Sequence, residues 1–357
     1  MTDLDQRITS VLREHAEGET DVHRLIRQSR TRGRRRQLRR RATTGTALAL
    51  AGVLGFLGAT GTDLAGLTGR GPSTAASPAD AAPVPPRADG VPGAAQHPEL
   101  VGTDPQVLHF SVDPAKGRYL GWAVQGRQVE SVRFDAGGGR AVTVELSGSA
   151  AFAGSGIEGW PVDALPKPTF DGSIQRVALG SGSHGYVTWW RPAAGLYARA
   201  SMRGGDVSAL TRALSAVRWD EARRCAAPLR LTSLPVGASV GFCSVDATVF
   251  PRSLQVQLTI SREPSATMWV QLLYGSQISG SSTESNRTVG GRPAYLYPAG
   301  TKMELLGFPK AHLTADVGGP WTDGVLKDQP TFTEADMAGV LAGAQVAKDL
   351  TDPATWD

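Results

Sequence analysis

Cysteine is scarce: Cys225 and Cys243 are the only two in 357 residues. A structural zinc site needs four ligands, and no histidine or second cysteine pair lies near these two in the chain, which argues against one. A Cys-x-x-Cys redox pair is excluded, because the two lie 18 apart. The six histidines are scattered, and no two carboxylates stand out as an acid–base pair. Aromatic residues make up 6% of the chain, and all eight tryptophans lie from Trp122 onward. Two glycine-rich stretches carry no chemistry by themselves. Gly154-Ser155-Gly156-Ile157-Glu158-Gly159 fits G-x-G-x-x-G on paper, but runs into Trp160-Pro161 instead of opening a helix. Gly180-Ser181-Gly182-Ser183-His184-Gly185 sets serine beside histidine along the chain, whereas a nucleophile needs its base close in space and an orienting acid behind it. No cofactor, metal or catalytic residue is therefore expected, and the chain reads as a non-enzyme.

Charge of either sign is missing from residues 42–62, ATTGTALALAGVLGFLGATGT, while ten arginines lie between Arg24 and Arg41 just before it. About 20 apolar residues span a bilayer core as a helix, and Lys and Arg near one end of a span hold that end in the cytoplasm. Residues 42–62 are thus expected to form a single transmembrane helix, N-terminus inside and C-terminal part outside. A signal peptide with an unusually long basic region and a buried soluble helix are the other readings. Residues 1–41 carry net +6 and the remainder net −2, so the basic pI of about 9.2 follows from topology and calls for no nucleic-acid partner. Ala47, Ala51, Gly55 and Ala59 recur every four positions, a spacing at which two spans could pair as a homodimer.

In the tail, Leu4, Ile8, Val11 and Leu12 fall on one face at helical spacing. That face would meet a cytoplasmic regulatory protein or lie on anionic lipid. The layout of a short cytoplasmic helical region, a basic stop, one span and a long exported part resembles the single-pass anti-sigma regulators of actinobacteria. The resemblance implies a relay from an exported sensor to a cytoplasmic partner. The His-x-x-x-Cys-x-x-Cys zinc motif of many such regulators is not here, since no cysteine precedes Cys225.

Residues 63–104 interleave Pro72, Pro78, Pro83, Pro85, Pro86, Pro92 and Pro98 with Ala, Gly and Ser, and are expected to form a disordered linker. The folded part, 105–357, is expected to be α+β, with two similar units at 105–222 and 223–357, each an antiparallel sheet followed by a helix. One continuous α+β domain is the alternative. Strand candidates include Tyr119–Val124, Val129–Phe134, Ala141–Leu146 and Leu254–Ser261, with polar and apolar residues alternating. Asp206 and Thr333 are placed to cap the two helices, the latter with Asp336 at capping-box spacing. The stretch from His184 through Trp219 aligns with that from Gly291 through Val346 as strand, Pro-Ala turn, strand, helix.

Outside the cell a pair such as Cys225 and Cys243 is normally a disulfide. Trp189-Trp190 is the one aromatic concentration, and adjacent strand residues face opposite ways. One ring is expected in the core, and the other is covered by a helix or faces a glycan or lipid. Function is therefore read as an envelope protein whose exported part senses or binds an extracytoplasmic ligand. The alternatives are a purely structural or ligand-binding ectodomain with the tail only an anchor and, more distantly, an exported hydrolase.

Overall fold

Alternating apolar and polar residues dominate the chain beyond Val107, and they set its architecture. The computed structural model describes residues 82–126, 128–262, 266–275, 284–318 and 332–356. The tail at 1–41 with its Leu4, Ile8, Val11 and Leu12 face, the span at 42–62 and the small-residue stripe lie outside the described residues. Among the described residues no helix is long and apolar enough to cross a membrane.

The first set of strands is β1 (Arg87–Pro92), β2 (Val107–Leu108), β3 (Ser111–Val112), β4 (Arg118–Gln125), β5 (Val129–Asp135), β6 (Ala141–Ser147), β7 (Ile174–Gly180), β8 (Ser183–Trp190) and β9 (Tyr197–Arg203). Helix α1 (Val207–Leu214) follows, then β10 (Val217–Arg218) and β11 (Glu221–Arg224). The second set is β12 (Leu229–Leu231), β13 (Ala238–Asp246), β14 (Leu254–Arg262), β15 (Ala266–Tyr274), β16 (Arg287–Val289), β17 (Arg292–Leu296), β18 (Lys302–Leu305) and β19 (Ala311–Asp316). Helix α2 (Glu334–Ala342) and β20 (Ala344–Val346) close it.

The α+β expectation is corrected. Of the described residues 45% are strand and 12% helix, so the body is a β structure with two short helices among the described residues. Nor do two units each close a sheet of their own. β4 pairs with β13, Val124 opposite Cys243 and Trp122 opposite Val245, and this joins both strand sets into one 13-stranded antiparallel sheet. The physical reason is an edge. Two separate sheets would each leave a long unpaired edge at β4 and β13, and pairing them satisfies both rows of backbone groups. The strand order is β16-β17-β18-β19-β15-β14-β13-β4-β5-β6-β9-β8-β7. Counted outward from the β4–β13 seam, each half is a three-strand meander followed by strands that run back inward from the edge.

This topology moves the alignment made in sequence. β9 pairs with β6 as β19 pairs with β15, so β8 and β9 correspond to β18 and β19. The sequence alignment of the β8–β9 hairpin with β17–β18 is therefore one strand too early.

One face of the sheet buries Trp122, Val124, Val132, Phe134, Val144, Val245, Val256, Leu258, Met268, Val270 and Leu313 in a single core. Leu108, Phe110 and Val112 from the segment before β4, Leu210 and Ala213 of α1, and Met337, Val340 and Leu341 of α2 cover it. Both helices are capped as their sequences specify. Asp206 accepts from the Ala209 N–H at 2.7 Å, and Thr333 and Asp336 form a reciprocal capping box.

Residues 82–104, read above as linker, belong to this body. β1 pairs with β11, Ala94 is fully buried, and the Ala94 and Ala95 N–H groups donate to His109 O and Trp219 O at 2.7 and 2.8 Å. The prolines here are compatible with extended backbone. Gly93 packs directly on the chain at 219–220, where a Cβ would come within 2.6 Å of Trp219 O. Cys225 and Cys243 form a disulfide that ties the chain after β11 to β13, and the Trp122 indole N–H donates to Cys225 O at 2.8 Å.

Candidate functional site

Residues paired directly across antiparallel strands point to the same face. On the face opposite the core one row can be followed through the register. It runs Tyr295, Glu304, Thr314, Gln271, Gln257 and Ser244 on the second strand set. It continues over the seam as Ala123, Ser131, Glu145, Arg199 and Trp189. Between Thr314 and Ser131 the row is uncharged. Charge returns at its flanks, with Glu145 and Arg199 at one end and Glu304 at the other.

At the first flank a wall rises above the sheet. After β6 the chain leaves as a 3-10 turn, Ala150–Gly154, capped by the Ser149 hydroxyl. Phe152, Ala153 and Trp160 of this segment pack with Val177, Val187 and Trp189 in a small second core. Arg199 holds the wall in place. Its guanidinium donates to Glu145 Oε2 at 2.6 Å and Oε1 at 2.8 Å, and to the carbonyls of Ser155 and Gly156 at 2.7 and 3.2 Å. The Arg199 side chain is 1% exposed. A charge so buried is tolerable because a bidentate carboxylate and two carbonyls use its donors. The Phe152 ring lies 5.6 Å from the guanidinium carbon and covers it.

The wall and the floor strands β13, β4, β5 and β6 enclose a groove of about 650 Å³. Gln125, Ser131, Ser147 and Glu145 contribute polar groups, and Phe242 and Phe152 contribute apolar surface. A volume of this size with few charges suits a polar organic ligand. Among the described residues no group of three or more His, Cys, Asp and Glu side chains is placed to hold a metal ion.

Two other polar clusters lie apart from the groove. Glu130 is fully buried on the core side, where Oε1 accepts from Gly102 N–H at 2.8 Å and Oε2 from His109 N–H at 2.6 Å, with His109 Nδ1 2.6 Å from Oε1. This carboxylate clasps the 102–109 segment to β5. At the far flank Glu304 receives the Tyr297 hydroxyl at 2.7 Å and lies 2.6 Å from His312 Nδ1. Burial and the neighbouring Glu304 carboxylate push the Tyr297 phenol well above its ordinary range.

The residues singled out in sequence fall as follows. Trp189 is fully buried in the second core and presents no ring to a ligand. Trp190 faces the main core, where its ring meets Trp219 edge-on at 6.1 Å. The 154–159 glycine stretch is part of the groove wall. In the 180–185 stretch Gly180, Ser181 and Gly182 make the β7–β8 turn with positive φ, and the Ser183 hydroxyl donates to Gly180 O at 2.6 Å. Its neighbour His184 Nε2 lies 3.4 Å from Gly205 O. Glu130, Arg199 and Glu304 were missed. Each stands in an alternating strand, and Glu130 is in phase with the inward Val132 and Phe134, a signal that was there to find.

Comparison with protein-family models, curated proteins and solved structures finds no match to the chain.

Proposed function

We propose that this is a non-enzymatic, membrane-anchored protein of the bacterial envelope whose folded body lies outside the cytoplasm and binds a ligand in the groove beside Arg199. The groove itself carries the reading. A segment that could have looped freely is held over the sheet by a buried arginine, and the space it borders is lined by serine, glutamine, glutamate and phenylalanine side chains. The disulfide supports an oxidising compartment, because such bonds rarely persist in the cytosol. The hydrolase reading has little behind it, since Ser183 and His184 are engaged with separate backbone carbonyls.

Ser131 on the groove floor provides the test. The full chain in detergent, incubated with a washed, lipid-free cell-wall fraction so that its anchor has no bilayer to enter, is expected to be retained, and Ser131→Trp, which fills the groove from its floor, to be retained at least tenfold less. Equal retention of two folded proteins would sink the reading.

A further inference from the structure

Beside the uncharged row runs a second one on the same face. Phe242 pairs with Thr259, and Thr259 with Trp269. Two half-buried aromatic side chains therefore stand two strands apart, roughly 9.5 Å along the hydrogen-bonding direction. Their chain neighbours Cys243, Met268 and Val270 point into the core, so these rings are committed to the opposite face. Phe242 also lines the groove. Gln257 and Gln271 stand in the adjacent row, the Gln271 amide donating to Gln257 Oε1 at 3.4 Å.

We propose that this face binds a linear, β-linked glycan laid across the strands from Trp269 over Phe242 into the groove. This inference rests on the groove being a ligand site and names its ligand class. A pyranose ring has an apolar C–H face and a rim of hydroxyl groups. Aromatic rings separated by polar side chains suit that pattern, each ring taking a sugar face. In an extended β-1,4 chain alternate residues turn the same face, and the Phe242–Trp269 separation is close to that repeat. Glutamine offers both donors and acceptors to a rim of hydroxyl or acetamido groups. Other ligand classes fit less well. A lipid chain would want a continuous apolar surface, but Thr259 interrupts the aromatics. A peptide adding as a strand needs an open sheet edge, and this is a sheet face. A polyanion would meet Glu145, while Arg199 is already used by that carboxylate.

The test uses the full chain titrated with the β-1,4-linked N-acetylglucosamine hexamer and, separately, with cellohexaose. Tryptophan fluorescence and calorimetry supply the readouts. Saturable binding of at least one hexasaccharide is expected, weakened tenfold or more by Trp269→Ala and by Phe242→Ala and largely kept by Trp269→Phe. The Phe replacement keeps a ring in place, so the comparison stays informative if Trp269→Ala fails to fold. No binding of either hexasaccharide, or undiminished binding by a folded Trp269→Ala/Phe242→Ala double variant, overturns the inference. If cell-wall retention still depends on Ser131 while neither hexasaccharide binds, the glycan assignment falls and the groove reading stands. If retention is indifferent to Ser131→Trp while hexasaccharide binding still depends on Phe242 and Trp269, the glycan face stands without the groove.

Discussion

Arg199 shows how one buried residue can shape a groove. Three of its nitrogens serve two partners at once, the Glu145 carboxylate below and the 155–156 backbone above. Arg199→Met would leave that carboxylate without its counter-charge and release the wall. Breaking a buried pair by removing one partner costs about 3–5 kcal/mol, and urea unfolding is expected to show a loss of that order. Amide exchange in 149–158 should quicken at the same time. Arg199→Lys is expected to recover little, because an ammonium cannot reproduce the planar fork. Unchanged exchange in a folded Arg199→Met protein would mean that the wall is held by Phe152 and Trp160 instead.

The short strand β3 is held by a side chain as well as by its own ladder. β3 makes only two pairs with β10, Ser111 with Arg218 and Val112 with Val217. The Tyr119 hydroxyl at the start of β4 supplements them, accepting from Val112 N–H at 2.7 Å and donating to Val112 O at 3.0 Å. Burial pushes this phenol up from 10.0 to about 12. Since the folded value is the higher one, the phenol contributes stability that is fully present below pH 10 and is lost as pH rises through about 12. Thermal melts of the wild type are expected to fall over that window, and those of Tyr119→Phe to fall less steeply. Identical slopes would remove Tyr119 from the account.

For the molecule as a whole, the seam between β4 and β13 is the feature on which the rest depends. The disulfide sits at it, linking the chain after β11 to the strand that completes the sheet. Closing a loop of this size contributes about 3 kcal/mol by the chain-entropy estimate. Cys225→Ser and Cys243→Ser should each lower unfolding stability by that order, and the double variant by no more than either alone. A further drop in the double variant would show that packing of the two thiols, and not the closed loop, is what is lost. The two outer edges of the sheet differ: β7 is seven residues long, whereas the β16 edge is short. β16 is three residues long, which leaves little open ladder there for another chain to join, and its Arg287 side chain is paired with Glu334.

Strands β4–β6, β8, β9, β12–β15 and β17–β19, both helix caps and the cysteine pair were legible in the sequence, because each is a local pattern, whereas β7, β10, β11, β16 and β20 were not. Alternation marks a half-buried strand, Asp206 and Thr333 sit one residue before an apolar helix face, and two lone cysteines pair. Sequence also suggested a repeat, but placed it one strand out, since Pro-Ala turns resemble each other while partnership with β6 or β15 leaves no local mark. Tertiary structure alone decided that both halves share one sheet, because that rests on two edges distant in sequence finding each other. It also decided that residues 82–104 fold onto the body. Their composition is that of a linker, and their burial is provided by partners more than a hundred residues away at Trp219 and Arg223. The groove is nonlocal for the same reason. Glu145 and Arg199 are 54 residues apart and become a pair only when β6 lies beside β9.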